Sequence, residues 1–206
     1  MKLSISQAEF QHALSRIQAI VEKRSSMPIL ANVLLDASND SGEQTLRLSA
    51  TDLEVGIRST HEATVINPGS LTVSAKKLFE IVRELPNDVI HLEATSNSYL
   101  EIRCARSRFT LAGTVAEEYP TLPEAAPGKT VPIPATVLSQ MIERTMYATS
   151  TDETRYNLNG VYLELLGEAG KIRMVATDGH RLAYIDRTID DEAGAIKNSV
   201  IIPRKA

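Results

Sequence analysis

An α+β fold built from repeated β-α-β-β-β units is what this chain predicts, on three observations. At three places an amphipathic helix, capped by Ser6 and by Ser74 in the first two, leads into three short strand candidates. Where a strand candidate precedes such a helix, five residues separate its last member from the first core position of the helix: Ile5 to Phe10, Val73 to Leu78, Ile133 to Leu138. Third, the run Ala50-Thr51-Asp52 returns as Ala176-Thr177-Asp178, 176 − 50 = 126 residues later, a spacing of domain size.

The elements follow in order. Lys2 to Ser6 alternates polar and apolar. Ser6-Gln7-Ala8-Glu9 has capping-box form, with Glu9 placed to return the bond. Phe10, Ala13, Leu14, Ile17 and Val21 then form one apolar stripe, and the helix ends in a loop at Lys23 to Pro28. Strands are expected at Asn32 to Ala37, Thr45 to Ala50 and Val55 to Ala63. The second unit runs from strand Leu71 to Val73 through cap Ser74 to a helix striped by Leu78, Ile81, Val82 and Leu85, stopped at Pro86-Asn87-Asp88. Strands Val89 to Ala94, Tyr99 to Cys104 and Arg108 to Ala112 complete it. Residues 116–130 hold three prolines, a glycine and three glutamates, which marks a linker with a domain boundary near residue 125. Beyond it come a strand ending at Ile133, a helix carrying Leu138, Met141 and Ile142, and strands Gly160 to Leu165, Lys171 to Ala176 and Leu182 to Arg187. Ser199 to Lys205 opens a fourth unit. The expected organisation is a domain over 1–125 and a second over 126–206 that lacks its C-terminal part, in a piece of a longer chain.

Composition bounds the rest. With 206 residues, 43% apolar, no Trp and 4% aromatic, the core is aliphatic. The N-terminus lacks the apolar block of a signal peptide, and no stretch approaches the ~20 apolar residues of a membrane span, so a cytoplasmic protein is expected. Cys104, the single cysteine, lies in a strand-like run and reads as a small buried apolar residue. The four histidines, at 12, 61, 91 and 180, show no ligand spacing, and neither a metal nor another cofactor is expected. A net charge of −4 argues against a compact DNA-reading module unless cations gather on one face.

Ala176 to Tyr184 is the densest chemistry in the chain. Asp178-Gly179-His180-Arg181 follows a strand and invites an acid–base reading of Asp178 and His180. No nucleophile or ligand set converges on them, and the earlier copy at Asp52 lacks the Gly and His. The shared Thr-Asp therefore reads as a turn-capping frame, and Gly179 to Leu182 as function added to it. That function is docking, in a protein-interaction scaffold or in one that also handles nucleic acid; the sign of the charge on the helix-lined face separates the two.

Residues 155–160 (Arg-Tyr-Asn-Leu-Asn-Gly), 175–182 (Val-Ala-Thr-Asp-Gly-His-Arg-Leu) and 200–205 (Val-Ile-Ile-Pro-Arg-Lys) resemble the middle-domain signatures of the bacterial DNA polymerase III beta subunits, the sliding clamps. Arg24 with Pro28-Ile29-Leu30, Ala50 to Glu54, and Arg106-Ser107-Arg108-Phe109 are similar to that family's first domain. The resemblance runs over the whole chain. It implies the DNA clamp fold, with helices lining a DNA-encircling face and antiparallel sheets outside, the third domain being absent here. It implies a non-catalytic processivity factor that closes as a homodimer around duplex DNA without sequence preference. Its partners would be the polymerase III catalytic subunit, the clamp loader, and other polymerases and repair proteins that dock through short peptide motifs. DNA contacts are implied at Arg24, Lys76, Tyr156, Arg204 and Lys205. The peptide pocket is implied at Leu158, Thr177, Gly179, His180, Arg181 and Leu182, completed by residues after 206. The dimer contact is implied at Lys77, Ile81, Arg106, Arg108, Phe109 and Leu111. Asp152 and Asn157 depart from the family, standing where related clamps often carry a glutamine and an aromatic near DNA.

Overall fold

The computed structural model describes residues 1–21, 27–40, 42–122, 132–152, 154–166, 170–189 and 199–206. The chain separates into two compact units, residues 1–123 and 124–206. The boundary expected near residue 125 falls in a stretch outside the described residues, as do Arg24 and most of the loop that carries it. Among the described residues, no helix is long and apolar enough to cross a membrane.

The first unit runs β1 (Lys2–Ser6), α1 (Gln7–Ile17), a short 3-10 turn (Pro28–Ala31), β2 (Asn32–Asp40), β3 (Glu43–Thr51), β4 (Gly56–Glu62), β5 (Thr64–Asn67), β6 (Gly69–Ser74), α2 (Ala75–Glu84), β7 (Val89–Ala94), β8 (Tyr99–Cys104) and β9 (Ser107–Thr114). Both helices start where the sequence places them. Ser6 Oγ accepts from Glu9 N at 3.3 Å and Ser74 Oγ from Lys77 N at 3.5 Å, each satisfying an N–H that the first turn leaves open. Glu9 takes another partner: its Oε1 lies 2.6 Å from His61 Nδ1 on β4, while His61 Nε2 lies 2.8 Å from Ser59 Oγ, so the carboxylate ties an edge strand to α1.

Alternation on the strands supplies the core. Leu3 and Ile5, Val33 and Leu35, Leu46 and Leu48, Leu71 and Val73, Ile90 and Leu92, and Leu100 and Ile102 all turn inward onto Phe10, Ala13, Leu14 and Ile17 of α1 and Ala75, Leu78 and Val82 of α2. Cys104 is buried with them, as expected, and burial pushes its thiol up in pKa. The two helices are also joined by a polar contact, Gln7 Nε2 donating to Val82 O at 2.9 Å and to Gln11 Oε1 at 2.8 Å.

The nine strands lie in the order β4-β3-β2-β6-β9-β8-β7-β1-β5. Each repeat gives its first strand to the other: β6 pairs β2, with Ser74 opposite Asn32, and β1 pairs β7, with Ser6 opposite Val89. Among the described residues, the ladder joining the two halves of the sheet in the middle is short, Thr72 and Val73 facing Thr114 and Gly113, and β9 from Ser107 to Ala112 is paired on its β8 side alone. β5 was not expected. The strand read over Val55 to Ala63 is found as β4, and beyond it the chain turns at Ala63, where Gln44 accepts from Ala63 N through its backbone O (3.2 Å) and from Val65 N through its side chain (2.7 Å), to lie as β5 on β1.

In the second unit α3 (Ala135–Glu143) is followed by 3-10 turns at Met146–Ala148 and Tyr156–Leu158, then β10 (Gly160–Leu166), β11 (Lys171–Thr177), β12 (Leu182–Thr188) and β13 (Val200–Pro203), in the order β12-β11-β10-β13. Residues 132–134 form no strand, contrary to expectation, and Val131 lies outside the described residues. Pro132 and Pro134 have no N–H to give to a ladder, which removes the strand while leaving Pro134 as a compatible residue before the helix. Met141 is buried, with Val137 and Leu138 half-buried beside it, but Ile142 is exposed. One residue turns a helix by ~100°, and the buried line continues from Met141 to Thr145, whose Oγ1 donates to Met141 O at 2.7 Å. β13 pairs β10 with Pro203 opposite Gly160, the placement Ser74 has opposite Asn32. Residues 200–203 thus sit where a repeat's first strand sits.

Phe10→Ala removes the largest side chain from the centre of the first core. The expected loss is about 3–5 kcal/mol, read by urea denaturation followed by far-UV circular dichroism; a loss under ~1 kcal/mol would place the first unit's stability elsewhere.

Candidate functional site

The turn between β11 and β12 is closed by its own side chains. Asp178 Oδ1 accepts from His180 N and Arg181 N, both at 3.0 Å, and Oδ2 accepts from Arg181 Nε at 2.9 Å. Thr177 Oγ1 accepts from Gly179 N at 3.1 Å and donates to Arg181 O at 2.7 Å. Gly179 has φ +91°, a left-handed conformation that costs an L side chain energy. The two backbone N–H groups, first His180 and then Arg181, hold the Asp178 carboxyl down at about 2. Such a group is a fixed anion at neutral pH and has no proton to offer a substrate.

The same frame stands at the earlier copy. Asp52 Oδ1 accepts from Glu54 N at 3.0 Å and Val55 N at 2.7 Å, and Thr51 Oγ1 accepts from Leu53 N at 3.0 Å and donates to Val55 O at 2.9 Å. Leu53 takes the left-handed position, at φ +78°, although it is not glycine. Thr-Asp is therefore a turn device used twice. What differs is the cargo: Leu53-Glu54-Val55 in one copy, Gly179-His180-Arg181 in the other.

Around the second turn, Leu182 is 62% exposed at the start of β12, and His180 and Arg181 are exposed beside it. Arg181 lies over the Tyr147 ring at 5.7 Å, and a Cβ at Gly179 would come 3.8 Å from Arg155 Nη1. Leu158, half-buried, is held by the same segment: its N–H donates to Arg155 O at 2.8 Å and its carbonyl accepts from Ser150 N at 2.8 Å. Thr177, Gly179, His180, Arg181 and Leu182 thus share one turn, and Leu158 joins their surroundings through Arg155. Tyr147 and Arg155 were not among the expected site residues. Arg155 opens the run 155–160 and was visible as a motif member; Tyr147 carries no sequence signal.

The expected DNA contacts are scattered along the chain. Lys76 is exposed on the first turn of α2 with Nζ 3.9 Å from Glu80 Oε1. Tyr156 is 75% exposed. Arg204 and Lys205 follow β13, and Arg204 N donates to Asn159 O at 3.1 Å, bringing their turn against the segment after Tyr156. Asp152 is capped by Thr154 and lies 3.4 Å from Arg155 Nε; the Thr154 hydrogen bonds lower its pKa.

For the expected subunit contact, Lys77, Arg106 and Arg108 are exposed, Phe109 is 41% exposed, and Ile81 and Leu111 are half-buried against the core. Arg108 spans the largely buried Glu101 carboxylate (Nε to Oε1 2.8 Å, Nη2 to Oε2 2.9 Å), which Arg103 also engages. These bonds, first from Arg103 and then from Arg108, lower the Glu101 pKa. An open cleft of about 990 Å³, lined by Glu9, Gln44, His61 and Val89 among others, contains none of the expected site residues.

Because Asp178 is more acidic folded than unfolded, its contribution to the turn is complete above roughly pH 4 and is lost as pH falls to about 2. Backbone amide shifts of His180 and Arg181, followed by NMR, are expected to titrate together with a midpoint near 2; a midpoint near the ordinary carboxyl value would remove Asp178 as the cap.

The model of the DNA polymerase III beta subunit N-terminal domain matches residues 1–123, and that of its central domain matches residues 132–206. The beta sliding clamp of Caulobacter vibrioides is 40% identical over 209 residues, covering all of this chain and 55% of the relative. That of Pseudomonas aeruginosa is 37% identical, covering all of this chain and 54% of the relative. The DNA polymerase sliding clamp structure from Bacillus subtilis aligns over the whole chain and 54% of its own length, at 30% identity and TM-score 0.91. The Bartonella birtlesii clamp, solved bound to griselimycin, aligns with the same coverage at 35% identity and TM-score 0.89. The chain spans about half the length of the curated relatives it matches. Two matched domains in sequence, on repeated units that share a strand exchange and a duplicated Thr-Asp turn, place this chain in the DNA polymerase III beta subunit family, the beta sliding clamps.

Proposed function

We propose that this chain is the N-terminal part of a clamp that encircles duplex DNA in the cytoplasm and tethers the replicative polymerase, the clamp loader and repair proteins, doing no chemistry itself. The observation that carries the tether is the duplicated turn. One Thr-Asp frame serves two places; both present an exposed leucine, Leu53 and Leu182, but only the second sets it beside an imidazole and a guanidinium, a set suited to an apolar peptide anchor with a polar rim. Griselimycin, bound by the Bartonella birtlesii relative, is expected to bind here as well.

The DNA reading rests on repeat position. Ser74 and Pro203 end equivalent strands, so Lys76 and Lys205 hold the same place in the second repeat of each compact unit, with Arg204 adjacent. Cations repeated at that place, together with Arg24 and with Tyr156 for stacking on a single strand, give phosphate contacts without base readout, which lets a ring slide. The dimer reading rests on β9, whose backbone from Ser107 to Ala112 lacks a partner on one side and whose Phe109 is exposed next to Arg108, with Arg106 just before the strand; such an edge is completed by another chain. Lys77, Ile81 and Leu111 would border it.

Joined to the C-terminal part that the relatives carry beyond the matched region, the chain is expected to stay on nicked circular DNA after loading and to be lost when the circle is cut. Equal retention on both templates would end the ring reading. In the same protein Leu182→Asp is expected to weaken griselimycin at least tenfold by calorimetry while the dimer persists in sedimentation; unchanged affinity would remove Leu182 from the docking site.

A further inference from the structure

The outer face of the second unit carries a feature that the docking turn does not use. Cross-strand pairing sets Ile201, Tyr162, Val175 and Tyr184 in one transverse row over β13, β10, β11 and β12. All lie on the face opposite the buried Met174, Ala176, Ala183 and Ile185, and Ile201, Tyr162 and Tyr184 are 43%, 36% and 65% exposed. Strand spacing makes the row ~14 Å long. The next row on the same face, ~7 Å away along the strands, contains Thr177 and Leu182. On the other side runs a charged row: Arg173 donates to Asp186 through Nε (2.7 Å) and Nη2 (2.8 Å), sits 4.0 Å from Glu164, and lies over the Tyr184 ring at 5.6 Å. Tyr162 Oη also donates to Glu164 Oε2 at 3.3 Å. Single exposed apolar side chains are ordinary on any surface; an uninterrupted row of four with two tyrosines, in a chain with 4% aromatic residues, is not.

We propose that this row is a second docking surface, continuous with the Thr177–Leu182 turn, that receives the segment flanking a partner's apolar anchor. The inference rests on the docking reading of that turn. Two or three extended residues cover the ~7 Å between the rows, so a chain anchored at Leu182 reaches the tyrosines at once. The border has two carboxylates, Glu164 and Asp186, against one guanidinium, which selects a flank that places an aromatic or aliphatic side chain on the row and a Lys or Arg beside it. Aromatic residues and arginine are the side chains on which interface energy concentrates.

The test uses the clamp joined to its C-terminal part and three synthetic peptides: the short apolar motif of the replicative polymerase's clamp-binding segment, and the same motif with Trp-Lys added before it or after it. One extension is expected to tighten binding at least fivefold. That gain is expected to disappear in the Tyr162→Ser/Tyr184→Ser double variant and to survive in Tyr162→Phe, while the unextended motif binds all three proteins alike. No gain from either extension, a gain that persists in the double variant, or equal loss of all peptides from it would overturn the proposal. Failure of the unextended motif to bind the unaltered protein would overturn the docking reading and this inference with it.

Discussion

The packing of two antiparallel-sheet halves onto one pair of helices is the constraint from which the rest follows. Phe10, Leu14, Leu78 and Val82 are fully buried, and each of the larger ones contributes roughly 1.5–3 kcal/mol relative to exposure. Neither repeat can bury its helix alone, because its first strand lies in the other's sheet. The exchange of β1 and β6 makes the core common to both repeats, and the Gln7 amide on Val82 O fixes the two helices where their apolar stripes meet. The same exchange sets the helix starts. A strand that ends opposite the first residue of its neighbour hands its chain to a helix at a fixed place, which puts Lys76 on the first turn of α2; Arg204 and Lys205 follow the equivalent strand end at Pro203.

The duplicated turn separates scaffold from function within a few residues. Both copies use the same four side-chain bonds. A left-handed residue costs roughly 1–2 kcal/mol unless it is glycine, and Leu53 bears that strain while Gly179 does not. With no side chain at Gly179 the turn stays open on the side where Arg155 approaches, and His180, Arg181 and Leu182 are left to face solvent. The strongly acidic Asp178 follows from the same geometry: two N–H groups and a guanidinium stabilise its anion, so the residue that most resembled a catalytic acid is the one least able to act as one.

Paired acids moderate the cations throughout. Glu80 stands by Lys76, Glu101 by Arg103 and Arg108, Asp152 by Arg155, and Asp186 by Arg173. The pairs exposed on both sides, Lys76 with Glu80 and Arg155 with Asp152, add little stability. They hold side chains in place on the surface of a chain of net charge −4.

Periodicity and caps were sufficient for much of this. Ser6 and Ser74 start their helices, the stripes Phe10-Ala13-Leu14-Ile17 and Leu78-Val82-Leu85 are buried as expected, and the recurrence of Ala-Thr-Asp marked a shared turn, because caps, stripes and turns are local and their partners lie within a few residues. Other features depended on partners far along the chain. The turn at Ala63 that creates β5 needs Gln44. The loss of a strand at 132–134 was readable from Pro132 and Pro134 but was outweighed by the analogy with the other repeats. Tyr147 meets Arg181 only once the chain has folded back on itself, and the row of Ile201, Tyr162, Val175 and Tyr184 exists only through the register of four strands. Sequence alone determined which residues are apolar, capped or turned; tertiary structure decided which strands exchange and which side chains become neighbours, because ladder register is set by the whole sheet and not by any one strand.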